Sequence, residues 1–335
     1  MSRGERIHVI ALGGTIAMTG SRDAGVRPTL SAADLLGSVD DAPDVEVTAE
    51  TLRTVPGSYL TIDDILAVVI RAHQEFERGA GGVVVVQGTD TLEETAFVAD
   101  LVHVGPHPLV FTGAMRHPAA LGADGPANLR DAIIAASQLR DVGALVCMNT
   151  ELHAARLVAK EHAFSPSAFG SPSSGPVGWV VENQAMVVTS VPPVSRFDVA
   201  ELAQGVSPCI PLYRVSLGDD GLTLTAVADS DPAGLVLEGF GVGHVGPEVA
   251  RIAAELAARI PVVLVSRTGA GASLRSTYGF EGSERDLLER GLLSGGALSG
   301  VKARLLLQLS LMAGEGRPEL TDRLRAWSAP TRRSD

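Results

Sequence analysis

The sequence predicts an α/β protein, with an N-terminal doubly wound, mostly parallel sheet joined to a smaller C-terminal α/β domain. Three observations carry that expectation. Short apolar runs alternate with amphipathic stretches through the first half of the chain, the pattern of strands and helices that builds a parallel sheet. The alternation breaks in a proline-rich stretch near 190–212 and then resumes. Two threonine-bearing loops directly follow two of the apolar runs, and loops at the carboxyl ends of parallel strands form the crevice where ligands bind.

The first predicted strand, 7–12, leads into Leu12-Gly13-Gly14-Thr15-Ile16-Ala17. A loop rich in Gly, Ser and Pro over 20–28 follows, close enough to Thr15 to serve as a lid. An amphipathic helix covers 62–77, and a strand over 83–87, apolar through Val86, leads into Gln87-Gly88-Thr89-Asp90-Thr91. Thr91 with Glu94 three residues later forms a capping-box signature, so a helix is expected to start there. Strands over 108–112 and 143–149 flank a helix over 128–139, and a loop spans 165–178. The break at 191–212 reads as a linker between an N-terminal domain, 1–190, and a C-terminal domain, 213–335. In the second domain 213–217, 234–237 and 261–266 read as strands, 247–258 as a helix, and 301–312 as the final helix.

A chain of 335 residues suggests two domains at roughly 150 residues each. The net charge of −12 argues against nucleic acid as a partner, because phosphate binding needs clustered Lys and Arg. No apolar run reaches the roughly 18 residues of a membrane span. The polar start over 1–6 shows no signal peptide. The expectation is a cytoplasmic enzyme for a small molecule. Of two cysteines, Cys147 lies in an apolar run and reads as a buried thiol, so no disulfide framework involving Cys209 is expected.

The 27 basic residues include only two lysines, Lys160 and Lys302. In an arginine background a lysine is a candidate for proton transfer, since only lysine readily loses its proton when desolvated. Thr15 sits behind two glycines that let the backbone turn sharply and bring a ligand close. A phosphate-cradling loop is the rival reading, but the lysine-bearing Walker pattern and the Rossmann spacing are both missing. Gly239-Phe240-Gly241-Val242-Gly243 imitates a nucleotide fingerprint without its spacing. Thr89, Asp90, Thr91 and Glu93 place four polar groups at one strand end, more than capping requires. A threonine hydroxyl is a poor nucleophile without a neighbouring base. Asp90 could orient a lysine that takes the proton from Thr89.

Together, Leu-Gly-Gly-Thr-Ile-Ala from Leu12 and Gly-Thr-Asp-Thr-Leu-Glu-Glu-Thr from Gly88 resemble the two signatures of the bacterial-type L-asparaginase family. The resemblance continues through Thr112-Gly113-Ala114-Met115-Arg116, the segment Ala123-Asp124-Gly125-Pro126-Ala127-Asn128-Leu129, and His153-Ala154-Ala155-Arg156 leading to Lys160. Tyr278-Gly279-Phe280 and Lys302-Ala303-Arg304-Leu305-Leu306-Leu307 extend it into the second domain. It implies a flavodoxin-like N-terminal fold and hydrolysis of L-asparagine to L-aspartate and ammonia, without metal or cofactor. By position, Thr15 matches the nucleophile that is acylated and then released by water. Thr89, Lys160 and Asp90 match the second threonine, its lysine and the aspartate that binds the substrate amino group. Ser58 matches the holder of the substrate carboxylate, with Gly57, Tyr59, Gly88 and Ala114 beside the substrate. Lys302 is expected to be structural. The resemblance further implies a homodimer or homotetramer with sites at subunit contacts.

Three positions depart from the family pattern. Family members carry a tyrosine in the loop after the first motif, where Gly25-Val26-Arg27-Pro28 has none and Val26 takes its place. Tyr59 stands where glutamine is usual, and Val242 where periplasmic relatives place an asparagine. Tyr59, Tyr278 or a residue of a neighbouring subunit could replace the lid tyrosine. These departures keep two alternatives open: hydrolysis of another small amide, such as L-glutamine or a D-amide, or a catalytically weak amino-acid-binding relative. A transfer-RNA amidotransferase subunit is disfavoured because the chain begins at the first motif.

Overall fold

The computed structural model describes residues 6–21, 25–37, 39, 45–189, 191 and 194–328. The polar start over 1–5, the 22–24 part of the lid and Pro192 and Pro193 of the linker lie outside them. The chain divides into two compact units, Met1–Ala203 and Gln204–Asp335. The division falls within the proline-rich stretch, which also holds the short helix Val199–Leu202.

The first unit is built on an eight-stranded sheet: β1 (Arg6–Gly13), β2 (Val47–Val55), β3 (Ala80–Val86), β4 (Leu109–Thr112), β5 (Ala144–Met148), β6 (Glu151–Ala154), β7 (Gly178–Val181) and β8 (Gln184–Val187). Their spatial order is β8-β7-β6-β5-β4-β3-β1-β2. The five strands from β2 to β5 pair in parallel in the order 2-1-3-4-5, the flavodoxin-like arrangement, whose topological switch point lies between β1 and β3. The expected doubly wound, mostly parallel sheet is present.

Its periodicity explains the layers. Along β3, Val84 and Val86 join the core formed by helix α3 (Gly125–Gln138), with Ala132, Ile133 and Ala136. Alternate residues of a strand face opposite sides, so Val83 and Val85 face the other layer, where α1 (Ile62–Glu77) packs against α2 (Leu92–Val102). All seven β3 residues are buried, which is why this strand is apolar without alternation. Helix α1 has its capping box at Thr61 and Asp64, closed by hydrogen bonds of 3.0 and 3.2 Å.

The second unit has a four-stranded parallel sheet, β9 (Leu212–Arg214), β10 (Leu235–Gly239), β11 (Val262–Ser266) and β12 (Leu293–Ser294), in that order. Helices α4 (Leu222–Asp229), α5 (Pro247–Ala257), α6 (Gly300–Met312) and α7 (Arg317–Ser328) accompany it. The 301–312 helix is therefore not the last. The Gly239–Gly243 segment is a tight turn closed by bridging of Phe240 and His244. Lys302 is buried at the start of α6. Cys147 is buried, and burial pushes its thiol pKa up, whereas Cys209 is exposed; neither is disulfide-bonded. No helix among the described residues is long and apolar enough to cross a membrane.

Candidate active site

Three loops converge at the carboxyl ends of β1, β2 and β3, on both sides of the switch point. They meet glycine against glycine. A Cβ built at Gly14, where φ is +84°, would lie 2.1 Å from the Gly88 nitrogen. One at Gly57 would lie 3.1 Å from the Gly88 carbonyl oxygen, and one at Gly88 would lie 2.9 Å from the Gly57 nitrogen. Only residues without side chains let these backbones approach so closely. The approach brings three short 3-10 turns together: Thr15–Ala17, Gly57–Tyr59 and Thr89–Thr91.

Thr89, buried at 5% exposure, and the exposed Asp90 open the third turn. The Lys160 ammonium reaches both. Its Nζ donates to Thr89 Oγ1 at 3.0 Å and to Asp90 Oδ1 at 3.1 Å, although the residues are about seventy positions apart in sequence. Lys160 comes from a two-residue strand, Ala159–Lys160, paired antiparallel with Phe169–Gly170. Its partner Phe169–Gly170 lies within the segment expected to be only a loop, 165–178. The Lys160 N–H donates to Glu93 Oε1 at 3.3 Å. Glu93 thus braces the lysine backbone as well as standing in the polar cluster at the strand end.

The capping box expected at Thr91 is not formed. Thr91 makes no side-chain cap bond; its hydroxyl donates instead to the Gly57 carbonyl at 2.9 Å and ties two loops together. Tertiary closure has taken the hydroxyl that local capping would have used.

The other expected residues flank this centre. Gly57 is buried, while Ser58 and Tyr59 are exposed on the same turn. Ala114 is fully buried after β4. Its loop is strapped by Asp124, which accepts from the Met115 and Arg116 N–H groups at 2.9 Å each. Asn128 donates to the Gly113 carbonyl at 3.0 Å and accepts from the Asn149 N–H at 3.0 Å. Gly113 in turn lies against Thr89: a Cβ there would stand 3.2 Å from Thr89 Cγ2. Asp124 and Asn128 sit in the 123–129 motif, but polar residues at a helix start give no sequence signal of strapping a distant loop. The expected lid loop is an antiparallel hairpin, Met18–Ser21 with Gly25–Pro28, and Val26 is exposed on it, opposite Gly20. Among the described residues no group of His, Cys, Asp and Glu is arranged to hold a metal ion.

A half-buried lysine amine between a threonine hydroxyl and an exposed carboxylate, with a second threonine on an adjoining loop, is a constellation suited to acyl transfer. Comparison with known proteins points the same way. The family profile described as "Asparaginase, N-terminal" matches residues 6–192, and that described as "Glutaminase/Asparaginase C-terminal domain" matches 210–323. The chain is 33% identical over 325 residues to a probable L-asparaginase of Deinococcus radiodurans, covering 94% of this chain and 95% of that protein. It is 29% identical over 312 residues to an L-asparaginase of Bacillus licheniformis, covering 92% and 95% respectively. The solved structure of a probable cytoplasmic L-asparaginase from Campylobacter jejuni superposes with a TM-score of 0.86 at 27% identity, over 96% of this chain and 99% of that one. With both profiles matching most of its length, this chain belongs to the asparaginase family.

Proposed function

We propose that the protein hydrolyses the side-chain amide of L-asparagine to L-aspartate and ammonia through a threonyl acyl-enzyme. The observation that carries this reading is the Thr89–Lys160–Asp90 contact set, with both bonds to Nζ near 3 Å. In this reading Thr15 Oγ1 attacks the amide carbon. The proton it sheds is passed to the departing nitrogen, which leaves as ammonia. Water then attacks the ester, and its proton returns to Thr15 Oγ1. Lys160 takes the Thr89 proton, making Thr89 Oγ1 the base that activates water, and Asp90 orients the lysine and binds the substrate ammonium. Ser58 and the Gly57 turn hold the substrate carboxylate. Backbone N–H groups around Gly88, Thr89 and Ala114 face the developing oxyanion, the kind of fixed donor that contributes most to acyl transfer. No metal or cofactor is needed for these steps.

A second reading keeps the chemistry and changes the amide. It rests on Val26 in the hairpin and on Tyr59, which is 71% exposed beside Ser58. A cytoplasmic location is part of the proposal, supported by the likeness to the Campylobacter jejuni protein. The deciding measurement is ammonia release from millimolar L-asparagine, L-glutamine and D-asparagine by the protein and by Thr15→Ala and Lys160→Met. Release from L-asparagine should dominate, and each substitution should lower kcat by about 10²–10⁴. Unchanged release in both variants would remove the site assignment, and a higher kcat/KM for another amide would replace the substrate.

A further inference from the structure

A cavity lies at the opposite end of the parallel sheet from the threonine loops. It measures about 220 Å³ and opens where β5 begins, at Gly143 and Ala144, beside Asp100 of α2 and Ala154 at the end of β6. Val191 and Val194 also line it. Two arginines reach it, and they differ in how they are satisfied. Arg196 donates from Nε to the Asp100 carbonyl at 2.8 Å and from Nη2 to Asp100 Oδ1 at 3.1 Å. Asp100 Oδ1 also accepts the Ala144 N–H at 3.1 Å. Arg156 is only 7% exposed, yet it has no hydrogen bond or ion pair with any of the described residues.

A guanidinium stays protonated, and the Arg156 fork, which no acceptor among the described residues meets, opens onto the cavity and is left to whatever enters it. Burial lowers the Arg156 pKa; the Asp100 charge opposes that shift and the Arg196 charge adds to it. The one carboxylate acting on Arg156 is thus shared with Arg196 and a backbone donor. Asp141 stands exposed at the rim, where water and salt screen it. What the cavity lacks is a pair of acceptor oxygens for the Arg156 fork.

We propose that this cavity binds a small oxyanion, carboxylate or phosphate, on the Arg156 guanidinium, with Arg196 adding to the local positive charge. Two oxygens on one carbon or phosphorus match the planar fork. The volume admits a molecule several times larger than the roughly 30 Å³ of one water. The ligand would lie against Arg156 on the turn Ala154–Val158, which is closed by the Val158 N–H to Ala154 carbonyl bond of 3.1 Å. Binding there stabilises the folded chain by mass action.

The test is thermal unfolding at constant ionic strength, with sodium chloride replaced stepwise by sodium phosphate or sodium acetate. Wild type should gain roughly 2–4 °C in Tm in at least one of the two beyond any rise seen in Arg156→Met. Phosphate also favours compact states by exclusion from protein surfaces, but that effect acts equally on both proteins. A response to phosphate alone marks a phosphate site, and a response to acetate alone marks a carboxylate site. Calorimetric titration with the responding anion should give one site per chain in wild type and none in the variant. An equal rise in both proteins, or no rise in wild type, overturns the proposal. Should Arg156→Met fail to fold, Val194→Phe narrows the cavity and keeps both arginines. Loss of the anion response in that variant supports the proposal, and an unchanged response overturns it.

Discussion

At the scale of single residues, the candidate site depends as much on what is missing as on what reacts. Gly14 has its would-be Cβ 2.1 Å from the Gly88 nitrogen and a φ of +84°, so an alanine there meets both a clash and an unfavourable backbone. Gly14→Ala should separate the Thr15 and Thr89 loops by a fraction of an ångström to an ångström. A misplacement of that size costs about 10²-fold in rate, and steady-state ammonia release with circular dichroism would show activity lost from a folded chain. Lys160 makes a complementary case. Arginine keeps the charge beside Asp90 but cannot give up a proton, so Lys160→Arg should be nearly as inactive as Lys160→Met. Substantial activity in the arginine variant would mean that Lys160 serves only as a fixed charge.

At the scale of elements, a histidine cluster ties α1 to the segment after α2. His73 Nε2 and His103 Nδ1 are 3.1 Å apart, His103 Nε2 donates to the His107 carbonyl at 2.8 Å, and Phe76 stacks on His107. Burial pulls the His103 pKa from 6.5 to about 4, against the His107 carbonyl bond that raises it, and the charges of His73, Arg196 and His107 add to the fall. Burial lowers His73 too. Because the folded pKa is depressed, the unfolded chain binds the proton first as pH falls. The stabilisation is complete above pH 6.5 and is lost as pH drops from 6.5 towards 4, by on the order of 3 kcal/mol for His103. Urea midpoints measured across this window should fall with pH, and His103→Gln should flatten that slope.

Elements with a single dominant signal were legible in the sequence. The apolar runs became β1, β3, β4 and β5, and the amphipathic 62–77 stretch is α1. Others hid for physical reasons. Strand β2 pairs only with β1 at the sheet edge and carries Thr48, Glu50, Thr51 and Arg53, so it lacks the apolar run of a central strand. The turns at Asn149-Thr150 and Glu182-Asn183 hold positive φ at both residues without a glycine, and the β6–β7–β8 antiparallel extension was missed with them. Helix α7 buries only Leu320, Leu324 and Trp327 along a mostly polar segment. Within the site, Thr89, Asp90 and Lys160 could be grouped from chemistry, and the structure joins them. The straps from Asp124, Asn128 and Glu93 could not, because they pair side chains with backbone groups whose positions only the assembled sheet determines.

At the scale of the whole molecule, the candidate centre of a single chain is too open for the chemistry assigned to it. The Asp90 side chain is 69% exposed, Tyr59 is 71% exposed, and Ser58 is exposed beside it. Fixed donors stabilise an oxyanion best where water is excluded. The hairpin that follows Thr15 carries Val26 exposed opposite Gly20 and brings no hydroxyl at that position. The expected homodimer or homotetramer offers a remedy, since a second copy seated on this crest would dry the site and could supply the missing polar group. Light scattering should then report a dimer or larger assembly at micromolar concentration. Specific activity should fall on dilution in step with dissociation and recover on reconcentration. Full activity retained by a demonstrated monomer would place every catalytic group within one chain. The dilution curve, rather than the assembly state alone, distinguishes a site completed between copies from one that merely sits near a contact.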